Sequence, residues 1–135
     1  MKTYIIYGSA NDKDFMNPAR VYFEENGLEY EELVMSVHRN TDELIAWCKA
    51  FNDSGEKAVI ITVAGLSAGL PGFVAVKANA PVIGVPVPCG PLNGVDALLA
   101  IVQCPGGVPL GSVGLHSKSG LNAAQYAHKM IQLAS

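Results

Sequence analysis

The sequence predicts an α/β fold: a three-layer α/β/α sandwich in which a parallel sheet is covered by helices on both faces. Three observations predict it. Short β-rich runs alternate with stretches of helical period along the whole chain. Residues 57–63 (KAVIITV) are apolar almost throughout, the mark of a central parallel strand buried on both faces. The connections are turns of a few residues, and no internal repeat, low-complexity segment or linker divides the 135 residues, so 1–135 reads as one domain with a real core.

The elements follow in order. Residues 4–7 form a short strand ended by Gly8-Ser9, after which Phe15, Ala19, Tyr22 and Phe23 recur at helical intervals up to Asn26-Gly27, a usual helix stop. A second strand over 30–35 is less apolar at its start. The helix over 42–51 takes Leu44, Ile45, Trp47, Cys48 and Phe51 as its inner face, so the Trp47 stripe is core. The central strand empties into Ala64-Gly-Leu-Ser-Ala-Gly-Leu-Pro-Gly72, where small residues let backbone approach a ligand. A short helix over 73–78, a strand over 81–85, a helix over 92–102 with Val95, Leu98, Leu99 and Val102 at helical spacing, a last strand over 111–115 and a helix over 121–133 complete the alternation.

Composition narrows the function. A net charge of −3, a pI near 5.5 and the absence of any Lys/Arg cluster give no footprint for nucleic acid. Apolar runs break well short of the roughly 18 residues of a membrane span, and the N-terminus runs straight into a strand pattern without a signal-peptide cleavage region. A cytoplasmic protein is the expectation. Half the residues are hydrophobic and only 16% charged, which is lean for a chain that solvates its whole surface alone, so subunit contacts are expected. Cys48, Cys89 and Cys104 are odd in number, widely spaced and without a neighbouring histidine, so they read as structural thiols and not as a metal set; Cys89 alone lies in a Pro/Gly-rich loop.

The chemistry converges on Val34-Met-Ser-Val-His-Arg-Asn-Thr-Asp42. It sets His38 and Arg39 just past a strand and just before a helix, the crevice where open α/β sheets bind ligands. A lone histidine near a helix start is ordinarily a surface residue, and its company distinguishes this one. Arg39 can hold a carboxylate or phosphate bidentately, Ser36 adds a hydroxyl, and Thr41 or Asn40 ahead of Asp42 and Glu43 reads as a helix cap. Imidazole titrates near neutral pH, which suits acid/base work. Gly8-Ser9-Ala10-Asn11-Asp12, small residues between a strand and a helix, is a weaker candidate for cradling phosphate.

Four segments, in this order, resemble the PurE family, which carries out the carboxylation step on aminoimidazole ribonucleotide in purine biosynthesis. They are Gly8-Ser9-x-x-Asp12, Ser36-x-His38-Arg39, Ala64-Gly65 with Leu70-Pro71-Gly72, and the run from Pro81 through Leu92-Asn-Gly-Val-Asp-Ala-Leu-Leu-Ala-Ile-Val-Gln to Pro109. The last is the most specific, and the resemblance covers essentially the whole chain. It implies a flavodoxin-like parallel sheet, an octamer, a small nucleotide substrate with carbon dioxide, and no metal or organic cofactor. Position by position, it implies that Gly8, Ser9 and Asp12, with Ser36 and Arg39, take the phosphate and ribose, and that His38 is the catalytic acid/base. The aminoimidazole and carbon dioxide fall against Ala64, Gly65, Ser67, Ala68, Gly69 and Leu70. Asn11 and Val37 join the substrate-binding set.

The chain departs from the common bacterial pattern at Asn11, where a second serine stands, and at Gly69, where a histidine stands. The third turn is nearer the animal-type Ala-Gly-Arg-Ser-Asn-Gly-Leu, yet Leu66 and Ala68 lack its Arg and Asn, and the residues run only to Ser135, where many members add a tail. Three functions follow as expectations: a carboxylase or mutase of aminoimidazole ribonucleotide, a diverged paralogue acting on another phosphorylated heterocycle, and a nucleotide-binding subunit without turnover. The carboxyl donor stays open, with Gly69 leaning to carbon dioxide and the 81–109 run to the bacterial isomer.

Overall fold

The computed structural model describes residues 1–135. Five parallel strands, β1 (Lys2–Tyr7), β2 (Tyr30–Val34), β3 (Ala58–Ala64), β4 (Val82–Pro86) and β5 (Gly111–Ser112), lie in the order β2-β1-β3-β4-β5. This is the flavodoxin-like order expected, with its switch point between β1 and β3. All seven residues of β3 are buried, as the continuous apolar run requires of a strand covered on both faces.

Strand side chains alternate between faces, and the core divides accordingly. Tyr4, Ile6, Ala58 and Ile60 point to one side, where they meet Leu44, Cys48 and Phe51 of α2 (Thr41–Ser54) and Leu70, Val74 and Ala75 of α3 (Leu70–Lys77). Ile5, Tyr7, Val59, Ile61 and Val63 point to the other, against Ala19 and Phe23 of α1 (Asn17–Glu25) and Ala123, Ala124 and Ala127 of α5 (Ser119–Ala134). Trp47 stacks on Phe51 at 5.5 Å and meets Tyr4 edge-on at 5.2 Å, so it is a core ring as expected. Gly84, inside β4, admits Ile101 of α4 (Val95–Val102): a Cβ there would come within 3.1 Å of that side chain.

Several boundaries and faces differ from expectation. The strand expected over 111–115 pairs only at Gly111 and Ser112, because Gly114 adopts φ 82° and turns the chain out of the sheet. The third helix starts at Leu70, earlier than residue 73, with Pro71 in its first turn where a missing N–H costs nothing. The fourth starts at Val95, because Asn93 and Gly94 both take positive φ. Its stripe does not face the core: Val95, Leu99 and Val102 are exposed, Leu98 is half-buried, and Ala97 and Ile101 make the contact. Ile45 is likewise exposed, since Leu44, Cys48 and Phe51 already fill the inner face of α2. No helix is long and apolar enough to cross a membrane.

Candidate active site

The sheet topology brings the turns after β1, β2, β3 and β4 together at the carboxyl edge, around a cavity of about 610 Å³. Its wall includes every residue expected from sequence: Gly8, Ser9, Asn11 and Asp12; Ser36, Val37, His38 and Arg39; Ala64, Gly65, Ser67, Ala68, Gly69 and Leu70. Leu66, Val87 and Cys89 complete it; Leu66 lies within the Ala64–Leu70 turn expected at the site, whereas Val87 and Cys89 are not among the residues expected there. Val87 continues from β4, and its N–H donates to Ala64 O at 3.0 Å, so the pairing of β4 beside β3 carries it to the crevice. The one signal in the sequence was the Pro/Gly-rich composition around Cys89.

The first turn leaves β1 with Gly8 N–H donating to Val63 O at 2.9 Å, then winds into a 3-10 turn over Ala10–Asp12. Ser9 caps that turn: its hydroxyl oxygen accepts the Asn11 N–H at 3.2 Å. Asp12 is half-buried beside it, and burial pushes its carboxyl above the ordinary value of 3.8. A carboxyl so placed prefers a hydroxyl partner to an anion.

The second turn is held by its own side chains. The Ser36 hydroxyl oxygen accepts both the His38 and the Arg39 N–H at 3.2 Å, and Asn40 Oδ1 accepts the Ser36 N–H at 3.1 Å. Having accepted twice, the Ser36 hydroxyl keeps its own proton to donate. The expected helix cap is absent from its expected place, because Asn40 has turned back to Ser36 and the Thr41 hydroxyl donates to Val37 O. The capping residues fix the His38–Arg39 turn instead of α2. Arg39 reaches Gly8 O with one Nη at 3.4 Å, a long contact that leaves its remaining donors free and joins the first two turns. His38 and Arg39 are both exposed to the cavity mouth.

The third turn is built of backbone and close packing. A Cβ on Gly65 would lie 2.5 Å from Cys89 Sγ, and one on Gly69 would lie 3.3 Å from Val37 and 4.0 Å from His38 Cε1. Gly65 thus lets the β4 loop close against the cavity floor, and Gly69 lets the second and third turns meet beside the imidazole. Leu66 holds φ 55°, a left-handed conformation that costs a branched residue on the order of 1–3 kcal/mol and recurs at ligand sites. Cys48 is buried away from the cavity, and burial raises its thiol pKa. No group of three or more His, Cys, Asp or Glu side chains is placed to hold a metal ion.

A guanidinium and hydroxyls can hold an anion, and an adjacent imidazole can move a proton. A doubly wound α/β protein with such a crevice at its switch point is the class that this fold and cavity define. Within it, the chain belongs to the AIR carboxylase family, whose model matches residues 2–135. It is similar to the N5-carboxyaminoimidazole ribonucleotide mutase of Bacillus subtilis (strain 168), with 41% identity over 127 residues, 94% of this chain and 78% of that protein. The mutase of Saccharolobus solfataricus is 41% identical over 130 residues, covering 96% of this chain and 80% of that one. A crystal structure of Treponema denticola PurE matches in fold with a TM-score of 0.82 at 23% identity, covering 99% of this chain and 82% of that chain.

Proposed function

We propose that the chain is a PurE-type enzyme of purine biosynthesis that places a carboxyl group on the imidazole carbon of aminoimidazole ribonucleotide. Family membership supports the reaction class. The observation that carries the assignment of roles is the position of His38, pinned through Ser36 at the cavity, with its Cε1 4.0 Å from where a Cβ on Gly69 would stand. The phosphate and ribose lie against Gly8–Asp12, Ser36 and Arg39. The aminoimidazole lies between His38 and the third turn.

Chemically, the electron-rich ring carbon attacks carbon dioxide and forms the new carbon–carbon bond, and the same carbon still carries its proton. His38 takes that proton, and the ring electrons return to restore aromaticity. A positioned base of this kind contributes about 10²- to 10⁴-fold in rate. Ala64, Ala68, Leu70 and Val87 keep the reacting end apolar, so carbon dioxide is held away from bulk water. The reading needs no metal or organic cofactor.

Two donors fit this scheme. The matched relatives carry the mutase name, which supports the N5-carboxyamino isomer. Gly69 offers no side chain to bond a donor carboxylate, which supports carbon dioxide; losing one charge-assisted contact costs about 1.5–3 kcal/mol. Turnover measured separately with the isomer and with aminoimidazole ribonucleotide plus bicarbonate distinguishes them. Faster turnover of the isomer removes the carbon dioxide reading. Asn11 and Gly69 also favour a second reading, a diverged enzyme for another phosphorylated heterocycle, and turnover of neither substrate supports it.

The exposed apolar residues Leu92, Val95, Leu99 and Val102 support a homo-oligomer, an octamer by resemblance, since such patches mark contacts. Light scattering of a stable monomer at micromolar concentration overturns it. We take 1–135 as one PurE-like domain, acting in the cytoplasm on a small nucleotide with no nucleic-acid or membrane partner.

A further inference from the structure

Outside the cavity, Arg20 of α1 makes contacts that no role in substrate binding explains. Its Nη2 donates to Lys13 O at 2.8 Å and to Asn17 Oδ1. Its Nη1 donates to Glu32 Oε2 at 2.8 Å and to the Tyr7 hydroxyl at 3.0 Å, while the Tyr7 hydroxyl in turn donates to Glu32. Tyr7 is fully buried at the end of β1, and the Arg20 and Glu32 side chains are only 20% and 22% exposed. Hydrogen bonds to ions in such a sheltered place are stronger than their surface counterparts.

Tyr7 and Lys13 bracket one segment. Tyr7 immediately precedes Gly8, and Lys13 immediately follows Asp12, so a single guanidinium grips the entry and the exit of the first cavity turn. Ser9 and Arg39 tie the turn near its start, and Arg20 is the side chain that holds its exit at Lys13. The turn's own backbone bonds, Asp12 N–H to Ser9 O at 3.1 Å and Lys13 N–H to Ala10 O at 3.2 Å, are of the 3-10 type, whose geometry is poor. Glu32, on the neighbouring strand, holds the guanidinium from the far side. Burial pushes the Tyr7 phenol pKa upward, as does its bond to Glu32, which keeps the hydroxyl protonated as a donor.

We infer that Arg20 is a positioning residue that holds the Gly8–Asp12 turn in its phosphate-binding geometry through Lys13 O and Tyr7. The inference rests on the reading above that this turn takes the nucleotide phosphate. Only a planar fork reaches the Lys13 carbonyl, the Tyr7 hydroxyl and the Glu32 carboxylate together, so lysine does not replace it.

The test compares affinities for aminoimidazole ribonucleotide and for its dephosphorylated nucleoside in the wild type, Arg20→Lys and Tyr7→Phe, by calorimetry on proteins shown to melt cooperatively. Arg20→Lys lowers nucleotide affinity about tenfold, the scale of one charge-assisted hydrogen bond, and leaves nucleoside affinity and kcat at saturating nucleotide unchanged. Tyr7→Phe keeps the ring's packing and shows a smaller loss of the same selective kind, and it decides the matter alone if Arg20→Lys does not fold. An unchanged nucleotide-to-nucleoside ratio in the folded variants, or equal loss for both ligands, overturns the inference. A wild type that binds both ligands equally overturns the phosphate assignment itself, and the inference with it.

Discussion

The two walls of the cavity are held in opposite ways. The turns after β1 and β2 are fixed by side chains bonded to backbone, through Ser9, Ser36 and Asn40, with Arg39 reaching across between them. The turn after β3 has no such ties; it is fixed by glycines that permit close approach and by Leu66 in a left-handed conformation. Polar side chains that hold backbone also leave protons and charges facing the cavity, so the first wall suits a charged ligand. Close packing leaves little that is polar beyond backbone and the Ser67 hydroxyl, so the second wall suits a flat ring and an apolar gas. His38 sits where the two walls meet.

The largest effect expected from breaking this division is at that meeting point. His38→Asn keeps the backbone bond to Ser36 and so preserves folding and nucleotide affinity, but lowers kcat by at least about 10²-fold. Single-turnover kinetics check it, and a variant keeping more than a tenth of wild-type turnover contradicts the role.

Next comes the packed wall. Gly65→Ala drives a methyl group into Cys89 Sγ, an overpacking of the kind that costs about 1–3 kcal/mol. In a double-mutant cycle, Gly65→Ala with Cys89→Ala recovers most of the loss in denaturant midpoint; simple additivity means that the contact does not hold this wall.

A smaller effect is expected from Arg39→Lys, which keeps the charge but loses the planar fork. Nucleotide binding weakens about fivefold to tenfold, the scale of one hydrogen bond to a charged group, with the chemical step unchanged. Equal affinity of the wild type for nucleotide and nucleoside would falsify the anion role.

Asp12→Asn tests the polar wall most gently. Because burial raises the folded-state pKa of Asp12 above 3.8, the fold favours its protonated form, and stability is lost as pH rises from 3.8 through the folded value. The asparagine variant, which cannot ionise, is therefore at least as stable as the wild type at neutral pH, has no such advantage below pH 3.8, and binds nucleotide more weakly. Melting curves on either side of that value check it, and a variant less stable at neutral pH contradicts it.

How legible these features were depended on whether they are local. The continuous run in β3 and the strand–helix alternation specify a doubly wound sheet by themselves, and the first three cavity turns announce themselves by residue type at strand ends. Val87 and Cys89 were not visible as wall residues because only the pairing of β4 with β3 brings them there. The α4 stripe misled for a related reason. Helical spacing reports an apolar face, not what covers it, and here Ala97 and Ile101 turn inward, Ile101 packing on Gly84, while Val95, Leu99 and Val102 face outward. The residue types of Asn40 and Thr41 fit a helix cap; the competing bonds to Ser36 and Val37 depend on the turn's three-dimensional path. Arg20 gave no sequence signal, since Tyr7 and Glu32 lie on two separate strands and Lys13 accepts through its backbone carbonyl.

The central claim is that the two walls together carry a carboxyl group to the imidazole carbon. The direct measurement is product analysis by carbon NMR after incubating the protein with aminoimidazole ribonucleotide and ¹³C-labelled bicarbonate, and separately with the N5-carboxyamino isomer labelled in its carboxyl group. The predicted result is label bonded to the ring carbon from at least one donor, in wild type and not in His38→Asn. Label remaining in bicarbonate or on the exocyclic nitrogen in both incubations, from a protein that still binds the nucleotide, contradicts the claim.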